Sequence, residues 1–339
     1  MDASNTARTT LLHMLTGYWS TQIIYVAAKL GIADLLEHGP KTSEELAIST
    51  GTHAPSLYRL LRALANLDVF EENEAGYFSL TPIGQCLVSS TPGSMRARAI
   101  IGGEELYRAW GDLLYSIQTG DSAFGHVFEM PFFQYLVQNQ DAGTNFNKMM
   151  AGSAVQAAAA IIAAYDFSWA RTIVDVGGGD GTLLASILNA HPQARGIVLD
   201  TPHVADSARK RLVAAGLSER CDVVVGDFFK AVPDSGDIYL LSWIIHDWDD
   251  ERSITILRNC NRAMQPGGKL LLLEEIVPGV NETSMSKLYD LHMLVMMTEG
   301  GGRERTEDEY RKLLANAGFR MTNIIPTTLP RSLIEGTRT

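Results

Sequence analysis

The stretch that most restricts what this chain can fold into is Arg171–Gly181, RTIVDVGGGDG. Thr172–Val176 is a short apolar run carrying one acid, Asp175, the pattern of a strand buried in a parallel sheet. Gly177, Gly178, Gly179 and Gly181 follow, and Thr182–Ala190 then has helical spacing. A strand, a glycine turn and a helix N-terminus together present backbone N–H groups to a ligand that comes close to the main chain. A dinucleotide turn reads G-x-G-x-x-G, and here the third glycine position is Thr182. The pattern is instead acid-x-G-x-G-x-G, from Asp175 to Gly181. A plain tight turn between a strand and a helix uses the same glycines.

From Arg171 onward, apolar runs and helical patterns alternate. The spacing predicts strands at 171–176, 195–199, 221–225, 237–243, 268–275, 319–326 and near 332–336. It predicts helices at 182–190, 203–215, 251–264, 285–297 and 306–317, which makes a doubly wound α/β domain with a mainly parallel seven-stranded sheet. Such sheets bind ligands at the carboxyl ends of their strands.

Several acids stand at those ends. Asp200 closes the second strand and can accept from both hydroxyls of a ribose, or cap the helix before Pro202. Gly226 and Asp227 close the third strand, where Asp227 suits an adenine amino group and Phe228 the adenine ring; a strand-end turn is the alternative. His246 lies just past the fourth strand in SWIIHDWDD, and Asp249 or Asp250 caps the helix after it. Glu274 and Glu275 end the fifth strand; alternation lets one of them face His246, and Glu274 is the choice. Glu304 follows the next helix in GGGRERT. Two carboxylates near one imidazole fix its tautomer and raise its basicity.

The N-terminal part has a different pattern. Leu11–Leu36 is helical, and Gly31 divides it into two helices. Thr42 or Ser43 caps a short helix running through Ala47, with Glu44 or Glu45 in its first turn. Pro55 starts another helix whose Leu57, Leu60, Leu61, Leu64 and Leu67 share one face. Asp68–Leu80 reads as a hairpin with Asn73–Gly76 at its tip. Helix, turn, helix and hairpin make a winged helix, yet its second helix offers only Arg59 and Arg62 as cations. A DNA reader carries a stronger basic footprint. Dimerisation and a share in the substrate pocket are the favoured roles.

Residues 1–102 are therefore expected to form a winged-helix dimerisation domain, and 103–339 a Rossmann-like domain. Within the latter, 103–165 is a helical connection rich in Trp, Phe, Tyr and Met; such a stripe commonly packs as core, and its position before the glycine turn favours a pocket wall. Ala154–Ala164 is a helix of small residues fit for close packing.

Composition narrows the function. The chain of 339 residues has room for about two domains. A net charge of −11 argues against a general nucleic-acid or anionic-membrane binder. Cys86, Cys221 and Cys260 share no close spacing, which suits a reducing cytoplasm and offers neither disulfides nor a zinc site. No apolar run reaches the ~18 residues of a membrane span.

The order of DVGGGDG, DTPHV, GDFF, WIIHDW, LLLLEEIVP and GGRERT resembles the plant-type, caffeic-acid O-methyltransferase-like family, in its bacterial natural-product branch. The likeness covers nearly the whole chain. It implies S-adenosylmethionine as cofactor, S-adenosylhomocysteine as product, no metal, and a homodimer acting on a hydroxylated aromatic small molecule. It implies His246 as general base flanked by Glu274 and Glu304. The implied cofactor set is Asp175, Gly177, Gly179, Asp200, Gly226, Asp227, Phe228, Ser242 and Trp243. The implied pocket set is Trp110, Phe124, Phe146, Met150, Asp247, His292, Met293 and Met296. Plant enzymes often carry a lysine where this chain has Ser242, and Met296–Gly302 is longer than the plant pattern.

The implied reaction is in-line attack of a hydroxyl on the sulfonium methyl. A phenol has a pKa of about 10 against about 6.5 for imidazole, so the carboxylates are needed to strengthen the base. Competing readings are a relative that has lost methyl transfer, a ligand-sensing regulator built on the winged helix, and a nicotinamide-dependent oxidoreductase.

Overall fold

The computed structural model describes residues 3–297 and 301–339. The chain forms two compact units, Met1–Arg108 with Asn139–Gly152, and Ala109–Gln138 with Ser153–Thr339. The segment 103–165, expected as one connection, is thus shared between the units. It is helical throughout but broken into pieces, with left-handed backbone at Gly120 (φ 81°) and Glu129 (φ 57°) closing two of them.

The first unit opens with three helices, Ala3–Leu15, Gly17–Leu30 and Ile32–Leu36, where two were expected. The break at Gly31 is as read: its φ of 68° is left-handed, and its N–H caps the carbonyls of Ala27 and Ala28. The additional break is at Thr16, whose hydroxyl donates to the Leu12 carbonyl at 2.9 Å and loosens the turn. The helix Ser43–Thr50 starts at a capping box between Thr42 and Glu45. Helix Ala54–Asn66 buries Leu57, Leu61 and Leu64, with Leu60 and Leu67 packed at the edge of the same core. Strands β2 (Phe70–Glu72) and β3 (Tyr77–Leu80) form the hairpin, and Asn73 Oδ1 accepts from the N–H groups of Ala75 and Tyr77 at its tip. A two-residue strand β1 (Lys41–Thr42) adds to β3, giving the order β1-β3-β2. Two residues carry no periodicity, so this strand was not legible in the sequence.

The second unit holds β4 (Thr172–Val176), β5 (Arg195–Asp200), β6 (Cys221–Val225), β7 (Ile238–Ser242), β8 (Lys269–Glu275), β9 (Phe319–Pro326) and β10 (Arg331–Arg338). They form one sheet in the order β6-β5-β4-β7-β8-β10-β9, parallel from β6 to β8, with β10 antiparallel to both β8 and β9. Each face carries its own core. Ile173 and Val198 pack with Leu184, Ile187 and Leu188 of helix Thr182–Ala190. Val174, Val176 and Leu241 pack with Ile256, Leu257 and Tyr310. The strand order reverses between β4 and β7, so a crevice opens outside their carboxyl ends. Among the described residues, no helix is long and apolar enough to cross a membrane.

Candidate active site

At the end of β4 the chain needs glycine for two reasons. Gly177, Gly179 and Gly181 have φ of 71°, 60° and 76°, a region costly to other residues. Gly178 is required for space, because a Cβ there would lie 2.7 Å from the Asp175 carboxyl carbon. The turn is held from β5. Gly177 donates to the Leu199 carbonyl at 2.8 Å, and Gly179 donates to Asp200 Oδ2 at 2.8 Å. Asp200 Oδ1 accepts from the Thr201 N–H at 2.7 Å, and Thr201, with no side-chain cap bond, stands at the N-cap of the next helix. Asp200 is therefore not a helix cap; it ties the glycine turn to β5. Burial raises its carboxyl, opposed by these N–H bonds.

Asp175 lies beneath the turn, 1% exposed. Burial, followed by the charges of Asp200 and Asp180, pushes it up to about 7. Its Oδ2 has no hydrogen-bond partner among the described residues. On the neighbouring strand Gly226 donates to the Asp200 carbonyl at 3.1 Å. Asp227 stays exposed, and its Oδ1 accepts from the Phe229 N–H at 2.9 Å. The Phe228 ring comes to the edge of the turn, 3.6 Å from where a Gly177 Cβ would stand. Its carbonyl is held at 2.7 Å by Asn259 Nδ2.

Beyond β7, a short 3-10 turn Ile245–Asp247 carries His246. A carboxylate can only accept, so the 2.8 Å contact from His246 Nδ1 to Glu304 Oε1 places a proton on Nδ1. The other nitrogen, Nε2, faces Asp247 Oδ1 at 3.4 Å. Glu274 stands beside His246 as well, and its Oε1 accepts the N–H groups of Ile244 and Ile245 at 3.2 and 2.9 Å. It fixes the turn that carries the imidazole and adds its charge nearby. Asp249, rather than Asp250, caps the following helix through the Arg252 N–H.

The electrostatics follow from crowding acids around one base. Burial opposes charge on His246, but the Asp247 charge, the Glu304 hydrogen bond and the charges of Glu274 and Glu304 outweigh it and hold the imidazole up at about 10. Burial raises Glu274 to about 7 and Asp247 to about 6. The second oxygens of Glu274 and Glu304 are buried without a partner among the described residues. The donor atoms of His246, Glu274 and Glu304 lie within 4.8 Å of one another, close enough to hold a cation.

Residues not singled out in the sequence brace this cluster. Arg305, 0% exposed, donates to the carbonyls of Ile245 and Trp248 and pairs with Asp250. Asp290 accepts the Glu304 N–H at 3.0 Å, and the Arg303 N–H donates to the His246 carbonyl at 2.8 Å. Arg305 stands beside Glu304 in GGGRERT, where a cation next to an acid is the signal; Asp290 had none.

The expected pocket residues divide. Trp110 Nε1 donates to His292 Nδ1 at 2.9 Å, so His292 presents a proton on Nε2 when neutral. Phe124 is fully buried among Phe128, Phe132 and Tyr135, and Met293 and Met296 are buried too. All three are buried in the second unit. Phe146 and Met150 lie in the first unit, on helix Gln140–Ala164. Part of the Met296–Gly302 extension, residues 298–300, falls outside the described residues.

Two family models match the chain: an O-methyltransferase dimerisation domain over residues 12–90 and an O-methyltransferase domain over residues 110–320. A phenazine O-methyltransferase of Lysobacter antibioticus is 51% identical over 325 residues, covering 96% of this chain and 94% of the relative. A phenazine-1-carboxylate N-methyltransferase of Pseudomonas aeruginosa is 35% identical over 339 residues, covering 100% of both chains. The crystal structure of an O-methyltransferase from neocarzinostatin biosynthesis, in complex with S-adenosylmethionine and 2-hydroxy-5-methyl naphthoic acid, superposes with a TM-score of 0.80 at 33% identity, covering 94% of this chain and 96% of that one.

Proposed function

We propose a reaction on the premise that this chain belongs to the S-adenosylmethionine-dependent O-methyltransferase family: it methylates a hydroxyl of an aromatic secondary metabolite, with His246 as the general base. The observation that carries the reading is the 2.8 Å bond from His246 Nδ1 to Glu304. With Nδ1 committed to Glu304, Nε2 is the nitrogen that accepts the substrate proton once the ring has given up its second proton.

The glycine turn fits the cofactor. Its left-handed glycines and the open space at the Gly179 Cβ position admit a close approach to the backbone, and Asp175 beneath it keeps a buried oxygen in reserve. Gly177 and Gly179 line the amino-acid end, with Asp175 below. Asp200 keeps lone pairs for the ribose hydroxyls. Gly226, Asp227 and Phe228 serve the adenine, and Ser242 and Trp243 close the β7 side. When bound, S-adenosylmethionine supplies an electrophilic methyl on a sulfonium. The protein orients the substrate oxygen, takes its proton and keeps water out. No metal is needed, and Glu274 and Glu304 serve the imidazole instead.

The carboxylates around His246 raise its basicity from that of free imidazole toward that of a phenolate, which eases the proton transfer. Trp110, Asp247 and His292 contribute the polar edge of the substrate site, and Phe124, Met293 and Met296 its apolar support. The Lysobacter relative makes hydroxylated phenazines the first substrates to try. The first unit exposes Leu11, Leu12, Met14, Leu15, Tyr18 and Trp19, a surface suited to a homodimer. Residues 1–102 and 103–339 are proposed as the two functional domains, at work in the cytoplasm.

The test is isotope-labelled S-adenosylmethionine incubated with hydroxyphenazines, aminohydroxybenzoates and simple phenols, with products read by mass spectrometry. His246→Ala is expected to cut O-methylation by about 10²-fold or more, with S-adenosylhomocysteine affinity unchanged. The Pseudomonas relative favours a second reading, N-methylation. A ring nitrogen has no proton to lose, so methylation that survives His246→Ala on an N-heterocycle selects that reading.

A further inference from the structure

Trp243, directly after β7, has a φ of 56°. The other non-glycine residues with positive φ among those described are Asp68, Glu129, Ser235 and Asn281, all polar. A bulky aromatic does not adopt this backbone unless its surroundings hold it there, and such strain gathers at functional sites. Two groups hold the side chain. The Arg331 guanidinium lies over the indole, its Cζ 3.4 Å from the ring centroid. The His246 ring stacks on the indole at 5.9 Å, with the planes 21° apart.

Arg331 opens β10 and sits opposite Glu275 in the β8–β10 ladder. Glu275 is 3% exposed. Burial and the Glu304 charge raise it to about 7, with the Arg331 charge acting the other way. Arg331, Trp243 and His246 are therefore stacked in series, with Glu275 opposite Arg331 in the ladder.

We propose that Arg331 is a positioning residue for His246 and acts through Trp243. The proposal rests on the reading of His246 as the base. The guanidinium pins the indole face by cation–π contact and stacking. The pinned indole limits rotation of the imidazole and keeps Nδ1 on Glu304, so that Nε2 stays aimed at the substrate. Arg331 itself touches no reacting atom.

The test compares Arg331→Ala, Arg331→Lys and Trp243→Phe with the full-length enzyme. The imidazole titration of His246 is followed by NMR, its resonance identified by its loss in His246→Ala. Removing a cation alone raises the imidazole pKa. Letting the ring leave Glu304 lowers it. Positioning therefore predicts a downward shift in Arg331→Ala, and partial recovery in Arg331→Lys, which keeps the charge without the planar stack. Turnover should fall about tenfold, with KM for S-adenosylmethionine within about twofold, because misplacement of a reacting group costs rate rather than cofactor binding. Trp243→Phe, with a smaller ring, should show the same downward direction and reads the proposal if Arg331→Ala does not fold. An unmoved or upward titration in folded variants overturns the positioning role. Full turnover in His246→Ala would instead remove the base assignment, and the titration would still decide what Arg331 does.

Discussion

The two sides of the crevice are built by different means. On the β4–β6 side the site is mostly backbone: three left-handed glycines, a buried acid beneath them and one carboxylate from the next strand. On the β7–β8 side it is mostly side chain: one imidazole, several carboxylates and two arginines from distant parts of the chain. The first arrangement suits a ligand whose shape must be admitted. The second suits a proton whose position must be controlled. Damage to the first should therefore appear in cofactor affinity, and damage to the second in turnover.

The strongest way to break this comparison after His246→Ala is Glu304→Gln. The amide keeps the shape but loses the charge that favours imidazolium, so turnover should fall by about tenfold to a hundredfold, less than for loss of the base itself. S-adenosylhomocysteine affinity, measured by titration calorimetry, should stay within about twofold. A matching loss of affinity would show that the two sides are one structural unit.

Asp200→Ala tests the opposite side. A hydrogen bond to a charged group is worth about 1.5–3 kcal/mol, so cofactor affinity should weaken by about one to two orders of magnitude. Turnover at saturating cofactor should change by less than about threefold. An unchanged dissociation constant would leave Asp200 only the bonds to Gly179 and Thr201 that it already makes.

The smallest effect is in stability. The His246 imidazole is raised from its ordinary 6.5 to about 10, so its charged form contributes stability that is complete below pH 6.5 and lost as pH rises through about 10. Glu274 is also raised, to about 7, and its contribution is likewise lost with rising pH, but through a lower window. Between pH 7.5 and 10, wild type should therefore lose several degrees of melting temperature more than His246→Ala, a loss on the order of 1 kcal/mol or more. Parallel melting curves would place the imidazole in an ordinary, unshifted environment.

Much of the second unit was legible because its determinants are local. The seven expected strands formed with ends within two residues of those expected; for β4, β7 and β8 the reason is burial on both faces of the sheet, which leaves a continuous apolar signal. Gly177–Gly181 was legible for a related reason: left-handed backbone asks for glycine at the position itself. Thr42 with Glu45 and the tip at Asn73 followed from cap and turn chemistry. The break at Thr16 and the strand Lys41–Thr42 did not, because each depends on one or two residues whose neighbours decide their state.

The sequence by itself determined the order of strands and helices, the glycine turn and the identity of His246, Glu274 and Glu304 as chemically eligible groups. Only the tertiary structure decided their division of labour. Both glutamates stand beside the ring, and the tertiary structure put the hydrogen bond of Glu304 on the imidazole and that of Glu274 on the backbone of Ile244 and Ile245. It brought Arg305 beneath the turn and laid Arg331 over Trp243. It buried Phe124, Met293 and Met296. The physical reason is range: glycine conformation and strand burial are set within a few residues, whereas a carboxylate's partner is chosen by which distant segment the sheet order carries to its side.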